Sequence, residues 1–242
     1  MLLALTAVVN IATAQTESKA TPEVGIKEII ATHQTAMATF MEKVRALPRE
    51  KQSEFYQAEY PKPDETLAAL NKFVDADPKA PAVLDALTWI AQNTRGSGLD
   101  ADDYANLEEN HLNHEKVGSI IMALAYSQKA EALDFLTTAS KKSTVANVRG
   151  TALYALSVGM KRDKTKAAEH EALTQKIISE YPDLTIGNRK IAKSIKAEKE
   201  AAVKFAIGNP APEIIGKDVD GAEMKLSDYK GQVVVLDFWG DW

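Results

Sequence analysis

The chain has 242 residues, with Lys+Arg 29 against Asp+Glu 34 and a formal net charge of −5, so it has no broad basic face with which to neutralise a nucleic-acid backbone. Its 45% hydrophobic and 26% charged residues are ordinary globular proportions and exclude a disordered or fibrous protein. Cysteine is absent, which excludes disulfides, thiolate metal ligands and any thiol nucleophile within these residues.

The first charge is Glu17, and the apolar run before it, Leu2 to Ile11, is far shorter than the roughly 20 residues of a membrane span. Ala12-Thr13-Ala14 followed by Gln15 supplies the small-x-small pattern that precedes signal peptidase cleavage. Residues 1–14 therefore read as a secretory signal and the product as exported, to the periplasm or cell envelope. No Lys or Arg precedes the run, so an apolar first helix stands as the other reading. An exported product meets an oxidising compartment, where cysteine chemistry is common.

Prolines fall at positions 22, 48, 61, 63, 78 and 81, then not again until Pro182, and the proline-free window between suits helices. Apolar residues there recur at helical spacing: Leu67, Leu70, Phe73 and Val74; Val83, Leu84, Leu87 and Ile90; Val117, Ile120, Ile121 and Leu124; Leu173, Ile177 and Ile178. Thr21-Pro22-Glu23 reads as a helix start and Gly96-Ser97-Gly98 as a helix-ending loop. The fold class expected is mostly α: a helical array of hairpins over residues 15–206. Lys166 to Tyr181 followed by Pro182-Asp183 faintly resembles a tetratricopeptide hairpin, but a clean period of ~34 residues is missing.

Chemistry in this region is thin. His111 and His114, three apart, could share a metal if helical, yet Asn110 and Asn113 interrupt the segment and no third ligand stands nearby, so a solvated helix end is the plainer reading. His33 and His170 are isolated and read as surface or half-buried. Asp100, Asp102 and Asp103 lack the central glycine and terminal glutamate of a calcium loop. No metal and no cofactor are expected. Arg189, Lys190, Lys193, Lys196, Lys199 and Lys204 alternate with Ile191, Ile195, Ala202 and Phe205, and Glu198 and Glu200 offset the cations. That amphipathic helix is expected to pack on the array rather than to seek a membrane surface.

The last ~36 residues differ in kind. Five of the 12 glycines lie after residue 207. Ile207-Gly208-Asn209-Pro210-Ala211-Pro212 reads as a glycine stop and an extended entry. Asp220-Gly221 between two short runs reads as a hairpin, and Ser227-Asp228-Tyr229-Lys230-Gly231 as a tight turn or one-turn helix. Gln232 to Trp239 is a continuous apolar run of β-branched and aromatic residues, the pattern of a strand covered on both faces.

These blocks, in this order, resemble the opening of the thioredoxin-like redoxin family, which includes secreted thiol-disulfide interchange proteins and peroxiredoxin-like thiol-specific antioxidant proteins. The resemblance covers residues 207–242, and the helical region resembles, more loosely, the extensions that precede some secreted redoxin domains. In the family the block matching Val235 to Trp242 is followed at once by Cys-x-x-Cys. What this implies is an α/β thioredoxin-like domain of which only the first β elements are present, from a parent that acts on protein thiols or disulfides. In such a domain a helix N-terminus stabilises the first cysteine's thiolate, which attacks a substrate disulfide, and the second cysteine resolves the mixed disulfide. Asp237 matches the buried carboxylate that can relay a proton to or from the resolving thiol. Trp242 and Trp239 match aromatics near the substrate groove.

Both cysteines are missing from these 242 residues, so the expectation is a fragment of an exported thiol-disulfide oxidoreductase, inactive as it stands. A helical-repeat binding or scaffold protein of the envelope is the alternative. The strand at Val233 to Phe238, lacking neighbours, is expected to be an aggregation hazard or a poorly ordered tail.

Overall fold

The computed structural model describes residues 21–94 and 96–240; residues 1–14, expected to be a signal, and Trp242 lie outside them. The chain is mostly helical, as the apolar spacing predicts. In order come α1 (Pro22–Ala46), α2 (Arg49–Glu59), α3 (Asp64–Ala76), α4 (Val83–Asn93), α5 (Ala101–Asn106), α6 (Val117–Ala123), α7 (Ala130–Lys142), α8 (Ala146–Met160), α9 (Ala167–Glu180) and α10 (Ile191–Lys204). Strands are few and short: β1 (Thr185–Ile186) pairs antiparallel with β2 (Arg189–Lys190), and β3 (Ile215–Lys217) with β4 (Glu223–Lys225). Two compact units result, Met1–Leu173 and Thr174–Trp242, a division that falls inside α9.

The first unit is built on the stripes read from the sequence. Leu70 and Val74 of α3, all four apolar residues of the α4 stripe, Val117, Ile120 and Ile121 of α6 and Leu124 just after it are buried in one cluster, joined by Phe135 and Leu136 of α7. Helix α4 packs on α1, α3 and α6, and α8 on α6 and α7. Each buried Leu, Ile or Phe side chain contributes about 1.5–3 kcal/mol through the water it no longer orders. Pro22 opens α1 in the first turn, where its missing N–H costs no hydrogen bond, although the Thr21 side chain makes no capping bond. Gly96 ends the loop after α4 with φ +75, a conformation that a Cβ disfavours.

Polar staples fix the loops. Lys129 Nζ donates to the carbonyls of Ser97 (3.0 Å) and Leu99 (3.2 Å), holding the α4–α5 loop against the start of α7. Asn113 Oδ1 accepts from the Thr144 amide at 2.7 Å, and Ser143 Oγ donates to the Leu112 carbonyl at 3.0 Å. On α1 and α2, Phe40 stacks on Phe55 (5.5 Å) and meets Tyr56 edge-on (4.8 Å), joining the two helices through an aromatic cluster.

In the second unit the amphipathic reading of residues 189–205 holds in part. Ile191 and Ile195 of α10 are buried, but Ala202 and Phe205 are exposed, and Arg189 and Lys190 belong to β2 rather than to the helix. The buried stripe thus ends within the helix, which itself closes at Lys204, with Gly208 (φ 95) just beyond it.

Candidate functional site

The residues expected to lead into a redox centre begin at Gly208. Asn209 Nδ2 donates to the Val203 carbonyl at 2.6 Å, adding to the Ala206 amide, which reaches the same oxygen at 3.3 Å. After the two prolines, β3 and β4 align with Ile215 opposite Lys225 and Lys217 opposite Glu223. The connection is the predicted Asp-Gly turn: Asp218 Oδ1 accepts from the amides of Asp220 (3.0 Å) and Ala222 (2.9 Å), and Gly221 has φ 82. The predicted one-turn helix forms at Leu226–Tyr229, where the Asp228 carboxylate accepts from the Lys225 amide at 3.0 Å.

One contact ties the entry segment to this turn and had no sequence signal. Glu213 Oε1 accepts from the Ser227 amide at 3.0 Å, and the Leu226 amide donates to the Ile214 carbonyl at 2.9 Å. Bonds from Ser227, through its side chain first and its amide second, hold the Glu213 carboxyl below the usual carboxylate range. Glu213 and Ser227 are 14 residues apart, and only the hairpin between them brings them together.

Beyond Gly231 (φ 88) the structure departs from expectation. The strand predicted over Gln232–Trp239 does not form: the segment makes no ladder with another strand, and Val233 is 98%, Phe238 81% and Trp239 82% exposed. A run with apolar residues on both faces needs partners on both faces, and the described residues supply none. Asp237 is accordingly exposed, not buried, and Trp239 stands in solvent. The burial that the resemblance implies for Asp237 concerns a complete redoxin domain, and Trp242 lies outside the described residues.

Two histidines of the helical unit, His111 and His33, are buried. His111 is buried rather than solvated: it closes a π-helical turn, Leu107–His111, and its Nε2 donates to the Pro78 carbonyl at 2.8 Å. The carbonyl can only accept, which fixes the tautomer. His114 Nδ1 instead accepts from the Lys116 amide at 3.2 Å, so the two rings turn to different tasks. His33 is also buried, 3.2 Å from Thr66 Oγ1 and edge-on to Trp89 at 5.0 Å. Among the described residues no three His, Asp or Glu side chains converge as metal ligands, and no helix is long and apolar enough to cross a membrane.

Comparison with known proteins finds no matching family model and no matching solved structure. Short similarities to curated proteins do exist. The thiol-disulfide oxidoreductase ResA of Geobacillus thermodenitrificans is 46% identical over 37 residues, 15% of this chain and 21% of that protein. ResA of Geobacillus kaustophilus is 49% identical over 37 residues, with the same shares. ResA of Bacillus anthracis is 44% identical over 46 residues, 19% of this chain and 25% of that protein. The chain thus spans a fifth to a quarter of the length of these relatives, and it carries a short region similar to thiol-disulfide oxidoreductases.

Proposed function

We propose that residues 207–242 are the lead-in of a thioredoxin-like redox domain, preceded by a helical domain over residues 15–206 and exported behind a signal at residues 1–14. The parent activity is exchange between protein thiols and disulfides. The observation that carries this reading is the short ResA similarity, whose length is that of the segment bearing the Gly208, Asp220-Gly221 and Ser227 to Gly231 turns. The turns in that segment, with positive φ at Gly208, Gly221 and Gly231, support the reading. In the parent, Asp237 relays a proton to or from the resolving thiol, and Trp239 and Trp242 flank the substrate groove.

The 242 residues contain no cysteine, so exchange has to draw its sulfur from elsewhere. Reading the dozen codons that follow Trp242 in the gene tests this: a Cys-x-x-Cys is expected, and an insulin-reduction assay is expected to show turnover for the extended chain and none for the 242-mer. A stop codon, a continuation without paired thiols, or turnover by the 242-mer itself would overturn the proposal.

A further inference from the structure

A second feature stands apart from the redox reading of residues 207–242 and lies in the helical unit. Helix α2 starts after Pro48 and stops before Tyr60-Pro61-Lys62-Pro63, and its flanking residues Pro48 (ψ 145) and Tyr60 (ψ 123) are extended. It is therefore a separate rod, not a continuation of α1 or α3. None of its residues is buried. It is tied to the end of α1 by a Gln52 Nε2 bond to the Leu47 carbonyl at 3.0 Å and by rings. Phe55 stacks on Phe40, and Tyr56 at 4.8 Å and Tyr60 at 5.7 Å meet the same ring edge-on. Phe40 is 4% exposed beneath them, whereas Tyr56 and Tyr60 are 39% and 45% exposed. An element with so little buried surface opens more readily than the core.

At the rim of these rings the two helices share a hydrogen bond to sulfur. Tyr56 Oη donates to Met41 Sδ at 3.2 Å, at the solvent surface. Met41 follows Phe40 on α1 and is half-buried. Among the described methionines it is the one whose sulfur accepts a hydrogen bond, while Met122 packs against the core. A thioether accepts weakly through its lone pairs and sits well beside aromatic rings. Oxidation removes both properties: in the sulfoxide the sulfur carries positive charge, the oxygen becomes the acceptor, and the side chain demands water.

We propose that Met41 is a peroxide-sensitive latch on α2. The sulfur lone pair that Tyr56 does not engage attacks one oxygen of hydrogen peroxide. The S–O bond forms as the O–O bond breaks, the sulfur gives up two electrons, and after proton transfer the products are the sulfoxide and one water. The Tyr56 hydroxyl thereby loses its acceptor, and a polar S–O group stands where a thioether met the rings. Helix α2 then leaves α1 more often, and Phe40 is uncovered. A methionine sulfoxide reductase resets the latch: two thiols supply two electrons and become a disulfide, and the oxygen departs as water.

The test is amide hydrogen exchange read by mass spectrometry on the 242-residue chain before and after dilute hydrogen peroxide, with the oxidation of each methionine mapped in the same peptides. Conversion of Met41 is expected to raise exchange over residues 47–60 about threefold or more and to leave α4 and α8 unchanged. Met41→Leu, which conserves volume and has no sulfur to oxidise there, should show no rise on the same treatment even though its other methionines are converted. Tyr56→Phe, which removes the donor, should exchange faster over residues 47–60 before any peroxide is added. Reductase with dithiothreitol should return the oxidised chain to its starting rate. A Met41 that stays a thioether while a free methionine peptide in the same tube is converted, unchanged exchange over residues 47–60 in the converted chain, or an equal rise in Met41→Leu would each overturn the assignment.

Discussion

Asp103 shows how one side chain can serve a helix and burden the fold at once. Asp100 and Asp103 form a reciprocal cap at the start of α5, each carboxylate accepting the other's backbone amide, which satisfies donors the first turn leaves open. The same fold buries Asp103 and raises its carboxyl to about 6, above its unfolded value. The stabilisation linked to this group is therefore complete below about pH 4 and is lost as pH rises through about 6, a swing of about 2–3 kcal/mol for a shift of this size. Asp103→Asn keeps an acceptor for the Asp100 amide and removes the ionisation. Chemical denaturation from pH 4 to 8 should show the variant with a flatter profile and about 1–2 kcal/mol more stable at pH 7.5; a variant less stable than the parent at pH 7.5 would refute the account.

At the scale of elements, the α4–α5 loop is the most exacting join in the helical unit. Gly96 has φ +75, and a Cβ there would come 2.5 Å from Leu124 Cδ2 of the core. Backbone strain and the clash add, so Gly96→Ala should lower stability by about 2 kcal/mol, or about 4–8 °C in Tm, measurable by the helical circular-dichroism signal. A change under about 1 °C would show that the loop can shift. The helices themselves are legible from residue spacing alone: α3, α4, α6 and α9 each carry an apolar face at 3.6-residue spacing, and such a face has to be buried somewhere. The Asp220-Gly221 hairpin is legible for a local reason too, because the turn's positive φ is written into the glycine.

What the sequence does not disclose is decided by partners distant in the chain. His111 sits among polar residues, and it is buried only because the α3–α4 loop, 33 residues earlier, offers the Pro78 carbonyl. The Glu213–Ser227 bond depends on the hairpin closing. Conversely, the run at Val233 to Phe238 has a strand's composition and no strand's neighbours, and composition alone does not make a ladder.

Across the whole molecule, apolar surface is distributed unevenly between the two units. The first buries most of its large apolar side chains, while Val233, Val235, Phe238 and Trp239 in the second stand largely in water, a short β-prone stretch of low charge. Replacing Val235 with Lys and Phe238 with Glu should raise the concentration at which the chain stays monodisperse by severalfold, as read by light scattering, and leave the helical melting transition within about 1 °C. A melting transition displaced by several degrees would show that the segment contributes to the fold.

The placement of two indoles has a practical outcome. Trp89 is sealed in the first unit with an imidazole against its edge, while Trp239 is bathed in solvent, so two of the chain's three tryptophans differ as optical reporters: one a short-wavelength emitter that iodide does not reach and the other a long-wavelength one that it quenches. Colour and quenching together thus distinguish events in the helical unit from events in the segment that follows it.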